Sequence, residues 1–140
     1  MKSAFLRSIL VVLISAMFSG CGTIHNFIGP STDWQARNGQ VLYHGTRTTL
    51  IGEVLVRFSK AGDFELTFTK GPGVTLLEIR QDATNFSVRG PLAGVKWSGR
   101  TANAPAHLRG WLQLRDKLMA LGDKTSLTHS YRGETFTFRF

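Results

Sequence analysis

Residues 62–69 read Gly62-Asp63-Phe64-Glu65-Leu66-Thr67-Phe68-Thr69, and the side-chain period across them is two. Phe64, Leu66 and Phe68 fall on one face; Glu65, Thr67 and Thr69 fall on the other. An extended chain separates apolar from polar residues in this way, so the stretch is a strand with one buried and one wet face. The same alternation continues on both sides. Val54, Val56 and Phe58 alternate with Glu53, Leu55 and Arg57, and Leu77 and Ile79 with Glu78 and Arg80. Phe86 and Val88 face away from Ser87 and Arg89, and Val95 and Trp97 from Lys96 and Ser98. The connections Lys60-Ala61-Gly62, Gly71-Pro72-Gly73, Gln81-Asp82-Ala83 and Gly90-Pro91 are short and of turn chemistry. Such turns join antiparallel neighbours, because a parallel crossover takes about a dozen residues or more.

Beyond residue 105 the period becomes 3.6. Leu108, Trp111, Leu112, Leu114, Leu118, Met119 and Leu121 make a wide apolar face, opposed by Arg109, Gln113, Asp116 and Lys117. With Asn103 as the cap, Pro105 in the first turn and Gly122 as the stop, the pattern predicts a helix near residues 105–121. Two closing strands follow, Leu127-Thr128-His129-Ser130-Tyr131 and Thr135-Phe136-Thr137-Phe138-Arg139-Phe140, joined by Arg132-Gly133. The fold class is therefore mainly β, of the α+β kind. A curved antiparallel sheet or incomplete barrel of about seven or eight strands, with one covering helix, is expected.

Length and composition set the outer limits. The chain has 140 residues, 42% hydrophobic and 11% aromatic, with one Cys and 17 Lys plus Arg against 9 Asp plus Glu. One domain suits that length, a single Cys excludes an internal disulfide, and ten Phe residues argue against disorder. Residues 1–20 begin with the bases Lys2 and Arg7. An uncharged, largely apolar span of about a dozen residues follows, short of the roughly 20 that cross a bilayer. Ser19 and Gly20 then precede Cys21, which completes the layout of a bacterial export signal.

Phe18-Ser19-Gly20-Cys21 resembles the lipobox of bacterial lipoproteins, with Phe18 in place of the usual aliphatic residue. The resemblance implies a diacylglycerol on the Cys21 sulfur, cleavage just before Cys21 and acylation of the new amino terminus. That covalent lipid is the only cofactor expected. Residues 22–39, rich in Gly, Ser, Thr and Asn and broken by Pro30, read as a tether. The implied organisation is a signal peptide over 1–20, a lipid-anchored tether over 21–39 and the β domain over 40–140. Residue 22 is Gly rather than the Asp that retains enteric lipoproteins at the inner membrane. The resemblance thus points to the outer membrane, with the domain facing the periplasm. Cleavage before Cys21 removes Lys2 and Arg7 and leaves 120 residues at a formal charge of +6, down from +8.

The pattern offers little for catalysis or metal binding. His25, His44, His107 and His129 are scattered, with no paired spacing and no second Cys. Ser98-Gly99 ends a strand rather than forming a nucleophile elbow, and Glu53, Asp63, Glu65 and Glu78 belong to the wet face. Neither an enzyme nor a metal site is expected. Arg57, Arg80, Arg89, Lys96 and Arg100 fall on or near strands that also carry Phe and Trp. The alternation sets bases and aromatics on opposite faces, so this is not a nucleic-acid stacking platform, and an anionic membrane surface is the more available partner. The closing Phe136, Phe138 and Phe140 resemble the last strand of outer-membrane barrels. The intervening helix and strands shorter than the 9–11 residues needed to span argue against such a barrel.

The stretches Gly52-Glu53-Val54-Leu55-Val56-Arg57-Phe58, residues 62–68 and Gly71-Pro72-Gly73-Val74-Thr75-Leu76-Leu77-Glu78-Ile79 are similar in order to those of the LolA and LolB group. Members of that group are periplasmic lipoprotein carriers and outer-membrane lipoprotein receptors. The resemblance covers about residues 40–100. It implies an incomplete barrel with an apolar cavity for acyl chains, faced by Val54, Val56, Phe58, Phe64, Leu66, Phe68, Leu77, Ile79 and Trp97. Trp111 and Leu112 would belong to its lid. Two functions are expected to compete. One is a module that shelters an acyl chain, lipid or lipoprotein in the cavity. The other is a structural or accessory envelope lipoprotein with a solid core that contacts another protein.

Overall fold

The computed structural model describes residues 24–140, so the expected export signal and Cys21 lie outside the described residues. Eight strands form one antiparallel sheet: β1 (Gln35–His44), β2 (Thr49–Phe58), β3 (Phe64–Thr69), β4 (Thr75–Gln81), β5 (Asn85–Arg89), β6 (Trp97–Arg100), β7 (Ser126–Tyr131) and β8 (Glu134–Arg139). Among the described residues, one α-helix, α1 (Arg109–Met119), lies between β6 and β7 in the chain. The spatial order is β6-β5-β4-β3-β2-β1-β8-β7, with β6 and β7 as free edges, so the sheet does not close into a barrel.

That order dictates the route of the chain. β1 to β6 form a meander of hairpins that ends at one edge of the sheet. The last two strands join on the far side of β1, where residues 40–44 pair with residues 135–139. The connection has to cross the sheet, and α1 makes the crossing, touching β4 and β7. Its apolar residues recur every three to four positions, so Trp111, Leu112, Leu114 and Leu118 are buried while Gln113, Asp116 and Lys117 are exposed. They meet the inward rungs of the strands. Val54 lies opposite Phe68, Val56 opposite Leu66, and Phe58 opposite Phe64; on the next ladder Leu66 faces Ile79 and Phe68 faces Leu77. Each rung places two apolar side chains against each other, and together they form one contiguous core.

Three boundaries differ from those the residue pattern suggests. β1 begins at Gln35, so residues 35–39 belong to the sheet rather than the tether. Their inward positions carry Arg37 and Gly39 instead of apolar side chains, which hides the strand. Arg37 donates to the Lys124 carbonyl at 3.0 Å and to the Gly122 carbonyl, closing the chain segment that follows α1. A Cβ on Gly39 would lie 2.2 Å from the Arg139 carbonyl oxygen, so β8 can approach only a glycine there. Asn103 does not cap the helix. Ala104, pushed to an extended φ of −61° and ψ of 141° by Pro105, separates it from a 3-10 turn over Ala106–Leu108 that leads into α1. Finally, β6 starts at Trp97, and Val95 is 64% exposed rather than inward. The Arg132-Gly133 loop does form the expected hairpin, with φ of 46° and 84° as a twisted two-residue turn requires.

Phe68 is completely buried in this core. Phe68→Ala is expected to destabilise the domain by about 3–5 kcal/mol. Gly52→Ala would bring a Cβ to 2.1 Å from the Thr69 carbonyl oxygen and should cost about 1–3 kcal/mol by overpacking. Both effects are read as lower urea midpoints at an unchanged slope.

Candidate functional site

The residues expected to line a cavity come together on the inner face. Trp111 of α1 sits at the centre, its ring 4.8 Å from Phe136, 4.9 Å from Tyr43 and 6.0 Å from Phe68 between centroids. Val54, Val56, Phe58, Phe64, Leu66, Phe68, Leu77, Ile79, Trp111 and Leu112 are all buried, none more than 6% exposed. Trp97 stands apart at the margin, half-buried, with its Nε1 donating to the Ala93 carbonyl at 3.1 Å and its ring edge-on to His107.

The most deeply buried of these side chains pack on one another with no water-sized space against them. A void wide enough for an acyl chain would keep its walls accessible to a water-sized sphere, even if sealed from bulk. Val56, Phe68, Leu77, Leu114, Phe136 and Phe138 have 0% accessible surface. Around these six residues the space between sheet and helix is therefore filled, as dense protein interiors are.

At one end of this core lies a polar pair. Tyr43 donates its hydroxyl proton to Glu134 Oε1 at 2.7 Å, and the absence of a side chain at Gly110 leaves room for that carboxylate. Burial first, and then the neighbouring Glu134, push the Tyr43 phenol well above its ordinary value. A phenol held protonated in this way is a hydrogen-bond donor, not a base. His129 stacks on Phe136 and shares a 3.0 Å hydrogen bond with Gln113. Burial, with a smaller contribution from Lys117, lowers its pKa below the usual histidine value.

The outer face carries the charge. Cross-strand register places Arg57 opposite Glu65 and Glu65 opposite Arg80. Glu65 accepts from Arg57 Nη2 at 2.6 Å, and from Arg80 Nε at 2.8 Å and Nη2 at 2.6 Å. The two guanidinium groups cover it so well that Glu65 is only 8% exposed on a face open to water. One rung further, Glu78 lies opposite Arg89 and forms an ion pair with it. Among the described residues, Lys96 and Arg100 form no such pair.

The segment before β1 lies against this face. His25 Nε2 is 2.5 Å from Asp82 Oδ2 in the β4–β5 turn. Burial alone would raise the Asp82 carboxyl, but the backbone N–H groups of Thr84 and Asn85, with His25, outweigh it and hold the pKa low. Ile24, His25 and Phe27 thereby become one wall of a groove of about 750 Å³, whose floor includes Arg80, Arg89 and Arg100. The five bases were legible as a wet face from their alternation. The Glu65 clamp was not read from the sequence, although turn lengths that fix the register make it derivable. The groove could not be read, since nothing in residues 24–27 announces where that segment lies.

Among the described residues, no group of His, Cys, Asp and Glu is placed to hold a metal ion, and no helix is long and apolar enough to cross a membrane. In comparisons with known proteins, no family model matches the chain and no curated protein matches its sequence.

Two outcomes follow from this geometry. Glu65→Ala leaves two cations facing each other and should cost about 1–2 kcal/mol, more than an isolated surface pair contributes. The loss should shrink in 1 M salt, where screening acts over about 3 Å; urea unfolding at both salt concentrations measures it. For His129, the unfolded chain binds the proton more readily than the fold does. Stability should therefore fall as pH drops below about 6.5, the unfolded value, towards the lower folded one. His129→Phe should flatten that part of the Tm–pH curve.

Proposed function

We propose that this protein is a lipid-anchored lipoprotein of the outer membrane, facing the periplasm, that acts by contact through its outer surface and performs no catalysis. The observation that carries this reading is the filled interior. With the apolar side chains of α1 and the sheet committed to a dry core, the surface is what remains to meet a partner. Another envelope protein fits that role. Leu42 and Ile51 lie directly opposite each other on the outer face of β1 and β2, 38% and 64% exposed, and form a small apolar spot suited to such a contact. The anchor rests on the lipobox-like Phe18-Ser19-Gly20-Cys21. Each buried methylene contributes about 0.8 kcal/mol, so several acyl chains on one residue hold the domain firmly without a spanning helix.

A second reading, sheltering of an acyl chain or a lipoprotein as in the LolA and LolB group, is supported by the architecture of an open sheet crossed by one apolar helix. It requires α1 to lift from the sheet. The helix is tied there by Arg115, which donates to the Gly62 carbonyl at 2.8 Å and 3.0 Å, and by Gln113 on His129.

Native mass spectrometry of the mature lipoprotein separates the two readings. The contact function expects the mass of the acylated chain alone, whereas a co-purified lipid would establish the shelter. Cys21→Ser is expected to release the protein from the membrane fraction; unchanged fractionation would remove the anchor from the proposal.

A further inference from the structure

The groove on the outer face has two properties that point the same way. Its floor and far wall gather Arg80, Arg89, Lys96 and Arg100 around the single carboxylate Glu78, and that carboxylate is already paired with Arg89. Its near wall is the beginning of the described chain, Ile24 to Phe27, pinned by His25 on Asp82. Only three peptide steps separate Ile24 from Cys21, a reach of at most about 11 Å at 3.3–3.6 Å per residue.

We propose that this cationic groove is the membrane-docking face of the domain, seated on anionic phospholipid headgroups of the leaflet that holds the anchor. The inference rests on Cys21 carrying the lipid. A lipid on Cys21 brings the bilayer within about 11 Å of Ile24, close to the distance of about 8 Å over which surface charge acts at physiological salt. Arg100 and Lys96 line the same groove as Ile24 and have no carboxylate partner among the described residues. Ile24 and Ile28, 87% and 65% exposed to water, gain an interfacial environment in the same pose. With β4 to β6 towards the bilayer, α1 on the opposite side of the sheet faces away from it. The exposed Leu42 and Ile51 of β1 and β2 then lie lateral to the docked strands, within reach of a neighbouring protein.

The chain has one Cys, and acylation consumes its thiol, so an introduced Cys takes a fluorophore alone. Ser98→Cys places the label in the groove, and Asp116→Cys places it on the exposed side of α1. The lipidated proteins are incorporated in phosphatidylcholine vesicles with and without phosphatidylglycerol, with a nitroxide quencher at headgroup depth. The Ser98 label should be quenched in the anionic vesicles and released in neutral ones or at 1 M salt, while the Asp116 label stays bright throughout. Lys96→Gln with Arg100→Gln should lower the ratio of docked to undocked protein about 30-fold, at about fivefold per base. Equal quenching of the two labels, quenching indifferent to phosphatidylglycerol, or none at Ser98 would each overturn the docking face. Any of these with wild-type Cys21 unreactive to the fluorophore leaves the anchor standing and points the cationic groove towards an acidic protein. A reactive wild-type Cys21 shows instead that the anchor itself is wrong, and the docking face falls with it.

Discussion

The burial of Trp111 and its helical neighbours against the inner face of the sheet is the constraint on which the rest of the fold depends. The chain ends β6 at one edge and must begin β7 at the other, so it cannot complete the sheet without crossing it. A polar crossing would leave Phe64, Phe68, Phe136 and Phe138 facing water, at a loss of roughly 1.5–3 kcal/mol for each side chain left exposed. An apolar helix solves both problems at once. It covers the inner face and delivers the β7–β8 hairpin to β1, where β8 pairs with residues 40–44. The hairpin in turn supplies Phe136 to the Trp111 cluster, so the helix and the last two strands stabilise one another.

The parts of this fold legible in the sequence are those where one face is uniformly apolar. β3 and β8 alternate clearly, β2 and β4 keep an apolar inward face although Ile51, Leu55 and Leu76 fall on the other side, and α1 shows its period for the same reason. Legibility fails where polar residues point inward. Arg37 and Gly39 occupy inward positions of β1 for a carbonyl contact and for close approach of β8, and neither purpose leaves an apolar mark. The start of the helix is hidden by Pro105, which ends the reach of Asn103 and sets a 3-10 turn before α1. For the candidate site, the residues named as cavity walls do share one face. Their identity could not tell a cavity from a core, because Val, Leu and Phe line both. That distinction depends on how closely the helix settles, a matter of side-chain volumes summed over many contacts.

Charge on the outer face is arranged as deliberately as the apolar residues within. Carboxylates are placed directly opposite bases of the neighbouring strands. Glu65 sits between Arg57 and Arg80, and Glu78 answers Arg89, so three bases of β2, β4 and β5 share two carboxylates. Removing Glu65 would leave Arg57 and Arg80 flanking an uncharged position of β3, with nothing between them to offset their repulsion. Lys96 and Arg100, at the β6 edge, are among the bases that have no carboxylate partner among the described residues. The segment leading back to Cys21 meets the domain at that same edge, held there by His25 on Asp82. Under the proposed anchoring at Cys21, a small domain held by a lipid at one point tumbles about it unless a second contact resists the motion. The surplus charge at that edge lies where such a contact has the shortest lever and the smallest entropy to overcome. Position therefore matters beside net charge: Glu65 and Glu78 offset bases at the centre of the sheet, whereas Lys96 and Arg100, without a carboxylate partner among the described residues, share a groove with the segment that leads back towards Cys21.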